Sequence, residues 1–342
     1  MSSLPSRPRV GFLGLGWIGL ARMQSLVKSG LVEATALADP SEKALAAGLE
    51  AAPGAHATQR YEELLELGLD AVVIATPSAL HARQCVMAFE RGLAVFCQKP
   101  LARTLVEARA VVLAAQAADR LLRVDLSYRQ TRALERVRRV VQSGELGDIY
   151  AAQLTFHNAY GPDKAWANDP ALAGGGCLMD LGVHLVDAAL WVLGFPAVEA
   201  SSARLYKQGQ RLSVPCAEVE DFALAQLATA LGQSIDLQCS WRSSIGCGAR
   251  IRAEFFGTRG SVALQNVDGS FFDFTAERYT GDRTEQLCGP PDDWGGSAAT
   301  AWAAELVASR SYRDCSELLR VASVLDAFYG RAELGSQQAA AS

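Results

Sequence analysis

The chain has 342 residues, half of them hydrophobic and a fifth charged, with 32 Lys and Arg against 37 Asp and Glu for a formal charge of −5. The signs are interspersed, which argues against a nucleic-acid partner or a membrane surface, and the length suits two domains that each bury a core. The eight cysteines (Cys85, Cys97, Cys177, Cys216, Cys239, Cys247, Cys288 and Cys315) show no C-x-x-C spacing and sit mostly in apolar runs. This excludes a disulfide framework or zinc knuckle and leaves reduced thiols, as expected of a cytoplasmic protein with no metal site. The first residues are polar and lack a leader-like apolar region, and no apolar run is expected to span a membrane.

In chain order, the first third alternates short apolar runs with longer helical ones. Strands are predicted at 10–13, 33–38, 71–75, 94–97 and 121–126, and helices at 18–29, 41–51, 61–67, 80–91 and 105–118. This is how a parallel sheet with crossover helices is written in sequence. A helix at 132–143 follows, and then the pattern changes to long alternating runs at 149–157, 198–206, 221–229, 234–241, 250–256, 261–265 and 271–276. A helix at 178–193 interrupts them, and helices at 298–309 and 316–329 close the chain. The predicted fold is α/β: an N-terminal Rossmann dinucleotide-binding domain (1–126) and a C-terminal α/β domain (127–335) on an open, mainly antiparallel sheet. A disordered tail is predicted at 336–342. One face of the open sheet is left for a second subunit, so a homo-oligomer is expected.

The most specific local signal is Gly14-Leu15-Gly16-Trp17-Ile18-Gly19 after an apolar strand, followed by Ala38-Asp39 at the end of the next. Gly14 permits a tight turn, Gly16 lets backbone approach a pyrophosphate, and Gly19 lets helix pack on strand. Asp39 is placed to accept from a ribose diol. Trp17 and Ile18 open the helix at the same place and are grouped with the cofactor residues. The acid repels a 2′-phosphate, so NAD is expected and NADP less so, although Ser41 and Lys43 leave room for it.

Two further segments carry candidate chemistry. Gln98-Lys99-Pro100 follows a buried strand and therefore lies at the carboxyl edge of the sheet. Gly174-Gly175-Gly176 leads, as a flexible hinge, into an apolar helix on which spacings of four and three put Asp180, His184 and Asp187 on one face. A polar stripe there must be paired, solvated or catalytic, because an unpaired buried carboxylate is expensive.

Together, Gly14-x-Gly16-x-x-Gly19, Ala38-Asp39, Ala75-Thr76-Pro77-Ser78-x-x-His81, Lys99-Pro100 and Gly174-Gly-Gly-x-x-x-Asp180-x-Gly182-x-His184 resemble the Gfo/Idh/MocA oxidoreductases over nearly the whole chain. The resemblance implies NAD or NADP as cofactor and sugars or cyclitols as typical substrates. It also implies that Lys99, Asp180 and His184 converge on the substrate, that Lys99-Pro100 is a cis peptide, and that Thr76, Pro77, Ser78 and His81 line the cofactor. One departure is Gln98 where the family usually has Glu, which drops a negative charge beside Lys99. Tyr128, Arg129, His157, Lys164, Trp166 and Asn168 are candidate substrate contacts, suited to a polyol because each hydroxyl needs a partner. The expected reaction is hydride transfer between the cofactor and a secondary hydroxyl, with His184 as base, Lys99 steadying the reacting oxygen and Asp180 orienting. Two alternatives stay open: a redox-neutral enzyme with tightly held NAD, and a catalytically silent regulator.

Overall fold

The computed structural model describes residues 7–215 and 218–331, which form two compact units. The predicted tail at 336–342 and Cys216 lie outside the described residues. Among the described residues, the first unit comprises 7–102, 106–127 and 295–316, and the second comprises 103–105, 128–215, 218–294 and 317–331. The division is thus not a single cut near residue 126, because the chain returns to the first unit after residue 294.

In the first unit, β1 (Arg9–Leu13), β2 (Glu33–Ala38), β3 (His56–Thr58), β4 (Ala71–Ile74), β5 (Ala94–Cys97) and β6 (Leu122–Val124) alternate with α1 (Trp17–Ser29), α2 (Glu42–Ala51), α3 (Tyr61–Leu65), α4 (Ser78–Glu90) and α5 (Leu105–Ala117). All strand pairs are parallel in the order β3-β2-β1-β4-β5-β6. The order reverses between β1 and β4, so the turns after these strands face the crevice where doubly wound sheets bind ligands. Strands β4 and β5 are buried along their whole length, as continuous apolar runs require when helices cover both faces. Strand β3 was not predicted; its three residues, one of them a histidine, are too few for a periodic signal.

The second unit holds α6 (Arg132–Gln142), β7 (Ile149–Asn158), α7 (Pro170–Ala173), α8 (Val183–Val192) and β8 (Val198–Lys207). They are followed by β9 (Gln210–Arg211), β10 (Phe222–Thr229), β11 (Ser234–Ser240), β12 (Ala249–Gly257), β13 (Gly260–Asn266), β14 (Phe274–Thr280) and β15 (Arg283–Cys288). The sheet is nine-stranded, ordered β15-β14-β13-β12-β7-β11-β10-β8-β9, and only the β7–β11 pair is parallel. Helices α6 and α8 cover one face, where Phe156, Leu237, Ile251 and Val262 are buried. Along the other run Gln153, Gln226, Asp236, Arg252 and Glu254, joined by Gln226 Nε2 donating to Asp236 (2.9 Å) and by the Arg252–Glu254 pair (2.7 Å). The predicted strand at 271–276 lies instead at 274–280, in a hairpin with β15. The four exposed residues that open β15, Arg283 to Gln286, give no apolar alternation to read.

The last helices divide between the units: α9 (Ser297–Ala308) packs in the first, with Trp302 buried 5.5 Å from the Phe96 ring, whereas Val321, Val324 and Leu325 of α10 (Ser316–Phe328) join the core of the second. Contrary to the sequence reading, one helical stretch, Pro170–Val192, is long and apolar enough to span a bilayer. It is mostly buried within the protein, and its apolarity is that of a core helix.

Candidate functional site

In the first unit the turns after β1 and β4 build the cofactor cradle. Gly14 has φ +83°, open to glycine at no cost, and a Cβ there would lie 2.6 Å from the Ala75 carbonyl oxygen. A Cβ on Gly19 would overlap the Gly14 carbonyl. Gly16 differs: nothing lies within 4 Å of where its Cβ would stand. It caps α1 with no side chain bonded to the helix end and no acid in the first turn, which leaves the positive end of the helix for an anion. Trp17, 78% exposed, stands next to it. Asp39 ties the cradle together: Oδ2 accepts from the Leu15 N–H (2.7 Å) and Oδ1 from the Ser41 N–H (2.8 Å). Each oxygen keeps a second lone pair for a ribose hydroxyl. These features fit a dinucleotide.

The turn Thr76-Pro77-Ser78 is set by side chains behind it. Thr76 Oγ1 donates to Gln84 Oε1 (2.6 Å), and Ser78 is buried in the first turn of α4. His81 lies behind the same turn. Its Nδ1 is 2.8 Å from the Pro100 carbonyl oxygen and its Nε2 2.7 Å from that of Thr76, so both ring nitrogens are engaged inside the unit. Burial pushes its pKa down. A neutral ring has one N–H, so it donates to one carbonyl at a time. His81 therefore clamps the Thr76 turn to the Lys99–Pro100 turn, a structural part rather than the direct cofactor role expected of it. The Lys99–Pro100 bond is cis, and Lys99 stands at the end of β5.

In the second unit the polar stripe divides among three partners. Leu178–Gly182 forms a π-helical turn before α8, an arrangement frequent at functional sites. Asp180 accepts from Trp241 Nε1 at 3.1 Å. The His184 ring packs edge-on against Tyr128 (centroids 4.8 Å apart) and lies 6.3 Å from Phe156. Burial and the Asp180 charge raise the Tyr128 hydroxyl pKa, keeping it a neutral donor. Asp187 belongs elsewhere: it is buried against Arg129, whose Nε lies 2.9 Å from Oδ2, and burial pushes its carboxyl up against the pull of that guanidinium. Arg129 also donates to Glu317 (2.7 Å) and lies over Trp191 and Phe195. Neither Arg129 nor Asp187 is thus disposed toward a substrate; they are a packed ion pair.

His157 is also displaced from its expected role. It follows Phe156 on β7, and strand alternation sends it to the opposite face from His184. There it stacks on Phe222 (5.7 Å) with Nδ1 2.7 Å from Ser240 Oγ, and burial lowers its pKa. Lys164, Trp166 and Asn168 lie on the loop after β7, around a short helical turn at Ala165–Asn168; Lys164 and Asn168 are exposed and Trp166 half-buried.

The glycine run is not a hinge. A Cβ on Gly176 would overlap the Glu220 backbone and one on Gly175 the Tyr329 hydroxyl. Buried Glu220 accepts from the Gly176 and Leu178 N–H groups (2.9 Å each) and from Tyr329 (2.7 Å), holding the start of the helix that bears Asp180 and His184. Neither Glu220 nor Tyr329 was a candidate from sequence, since each is separated from the glycines by many elements. Trp241 and Trp294, which touch Asp180 and Tyr128, went unread for the same reason.

A parallel dinucleotide-binding unit joined to a mixed-sheet unit defines a Rossmann oxidoreductase. Residues 8–126 match the oxidoreductase family with an NAD-binding Rossmann fold, and residues 134–263 match the GFO/IDH/MocA C-terminal domain. The chain belongs to the GFO/IDH/MocA family. It is 34% identical over 146 residues to D-glucoside 3-dehydrogenase of Escherichia coli (strain K12), a match spanning 42% of each chain. It is 28% identical to scyllo-inositol 2-dehydrogenase (NAD(+)) of Bacillus subtilis (strain 168), over 80% of this chain and 81% of that one. The crystal structure of GenD2 from gentamicin A biosynthesis, in complex with NAD, is 25% identical with a TM-score of 0.79, covering 97% of this chain and 95% of that one.

Proposed function

We propose that the protein is an NAD-dependent dehydrogenase that oxidises a secondary hydroxyl of a sugar, cyclitol or related polyol. The observation that carries the reading is the open, uncapped helix terminus at Gly16, in a chain that also carries Asp180 and His184 on one helix and is similar to a D-glucoside and a scyllo-inositol dehydrogenase.

Gly14, Gly16, Trp17, Ile18, Gly19, Asp39, Thr76, Pro77, Ser78, Gln98 and Lys99 hold the dinucleotide in this reading; Asp39 favours the free ribose diol and hence NAD over NADP. Bound NAD supplies the hydride acceptor. Lys99, Asp180 and His184 are the catalytic residues of this reading: His184 takes the hydroxyl proton, because imidazole titrates near neutrality and hands the proton on. Lys99 donates a hydrogen bond to the reacting oxygen as alkoxide character develops. Asp180, steadied by the Trp241 N–H, orients His184 or holds an adjacent hydroxyl. Tyr128 presents its hydroxyl beside them, and Lys164, Trp166 and Asn168 complete the substrate contacts. A homo-oligomer joined through the polar face of the nine-stranded sheet, in a reducing cytoplasmic setting consistent with seven free cysteines among the described residues, completes the reading.

A panel of polyols and sugars with NAD and with NADP, followed by reduced-nicotinamide absorbance, tests this. The expected outcome is accumulation of NADH with at least one polyol and a preference for NAD. Bound cofactor that never accumulates in reduced form with any of them contradicts it.

A further inference from the structure

The departure at Gln98 has a partner. Buried Gln98 donates its side-chain amide to Oδ2 of Asp125, which is 1% exposed just beyond β6. The β5–β6 register pairs Cys97 with Val124, and the Asp125 N–H donates to the Cys97 carbonyl (2.9 Å), which brings residues 98 and 125 side by side. The same Oδ2 accepts from Arg22 Nε of α1 at 2.6 Å, and Oδ1 accepts from the Ser127 hydroxyl. Arg22 in turn donates to Ser127 Oγ (3.1 Å) and to the Gly295 carbonyl. Another titratable neighbour, beside Lys99 itself, is the Cys97 thiol, pushed up by burial first, then by Cys85 and Asp125. A Glu at 98 would set two carboxylates at hydrogen-bond distance, where both cannot stay ionised. The amide is what Asp125 requires.

We propose that Asp125 supplies from the end of β6 the negative charge that position 98 lacks, and that Arg22 and Asp125 are positioning residues which, through Gln98, set the Lys99–Pro100 turn for a nicotinamide dinucleotide. The charge is relocated rather than lost. The inference rests on the NAD-binding reading above.

Four proteins of nearly identical shape test it: the natural chain, Q98E, D125N and the exchange Q98E/D125N. Each is measured for apo melting midpoint between pH 5 and 8.5 and for NAD affinity by calorimetry. In Q98E the folded carboxyl pair has a pKa raised above its unfolded value. Its stability is therefore full at low pH and lost as pH rises through the raised pKa. The midpoint and NAD affinity of Q98E should both fall with rising pH, the affinity by up to about tenfold per pH unit where NAD binding requires the pair to keep its proton. D125N should weaken NAD binding at every pH. The exchange, with one carboxylate restored at 98, should regain a flat profile and an affinity near the natural one.

Four indistinguishable proteins, the outcome of a purely packing role, would overturn the inference, as would an exchange no better than Q98E. Should Q98E fail to fold, the exchange decides: folded and NAD-binding supports the inference, unfolded overturns it. A natural chain that binds no NAD while Q98E still melts with the stated pH slope defeats the functional reading and leaves the charge relocation standing.

Discussion

Gly14 and Gly19 in the first unit lie against backbone of their own strand-turn-helix and of the neighbouring β4 turn, whereas Gly175 and Gly176 in the second lie against Tyr329 and Glu220, which arrive from distant elements. Both runs are glycine because a Cβ would collide, yet only the first announces its reason locally. Gly16 is a third kind, its space empty within the protein. Gly14, Gly19, Gly175 and Gly176 are thus fixed by packing, whereas Gly16, at the uncapped start of α1, leaves room there for a ligand.

Substitutions can break or sharpen that contrast. The largest effect is expected from Gly176→Ala, which drives a methyl into the Glu220 backbone and should destabilise the second unit by roughly 4–5 kcal/mol or more, read by chemical denaturation. A stable, unaltered variant would restore the hinge reading. Asp187→Asn leaves the buried Arg129 charge poorly matched and should lower stability by about 3–5 kcal/mol; an effect on substrate KM alone, with stability intact, would return this pair to the substrate site.

His184→Ala, by contrast, should fold and bind NAD normally while turnover falls roughly 100- to 10,000-fold, the worth of general-base help. Unchanged turnover refutes its assignment as base. Gly16→Ala keeps an ordinary backbone conformation (φ −61°) and should melt as the natural chain does, but lose about tenfold or more in NAD affinity, about 1.4 kcal/mol. Equal loss of stability and affinity would erase the distinction drawn above.

The smallest effect is one of pH. Burial holds the His81 pKa below its unfolded value of about 6.5, so its contribution to stability is full above that pH and is lost as pH falls toward the folded value. His81→Asn should flatten part of the acid limb of the melting midpoint below about pH 6.5. An unchanged limb would show that the clamp between the Thr76 and Pro100 carbonyls does not govern it.

What the sequence carries well is what local chemistry determines. The parallel strands, the Gly14–Gly19 turn, Asp39 at the end of β2 and the helix with Asp180 and His184 follow from apolar period, glycine spacing and strand ends. The roles of individual polar residues depend on partners far along the chain. Arg129 looks like a substrate contact until Asp187 is found beside it, and His157 shares a strand with Phe156 yet faces the other way. Arg22 carries a faint signal, a charge on the buried side of α1, and Asp125 another, an acid closing an apolar strand. Glu220 carries none, since nothing in its neighbourhood points to the glycine run it anchors.

The central claim is the proposal that the chain oxidises a secondary hydroxyl with NAD and that His184 takes the hydroxyl proton. A crystal structure with NAD and an oxidisable polyol bound measures this directly. The account predicts a His184 ring nitrogen within hydrogen-bonding distance of the hydroxyl that is oxidised; a ring turned away from that hydroxyl would contradict it.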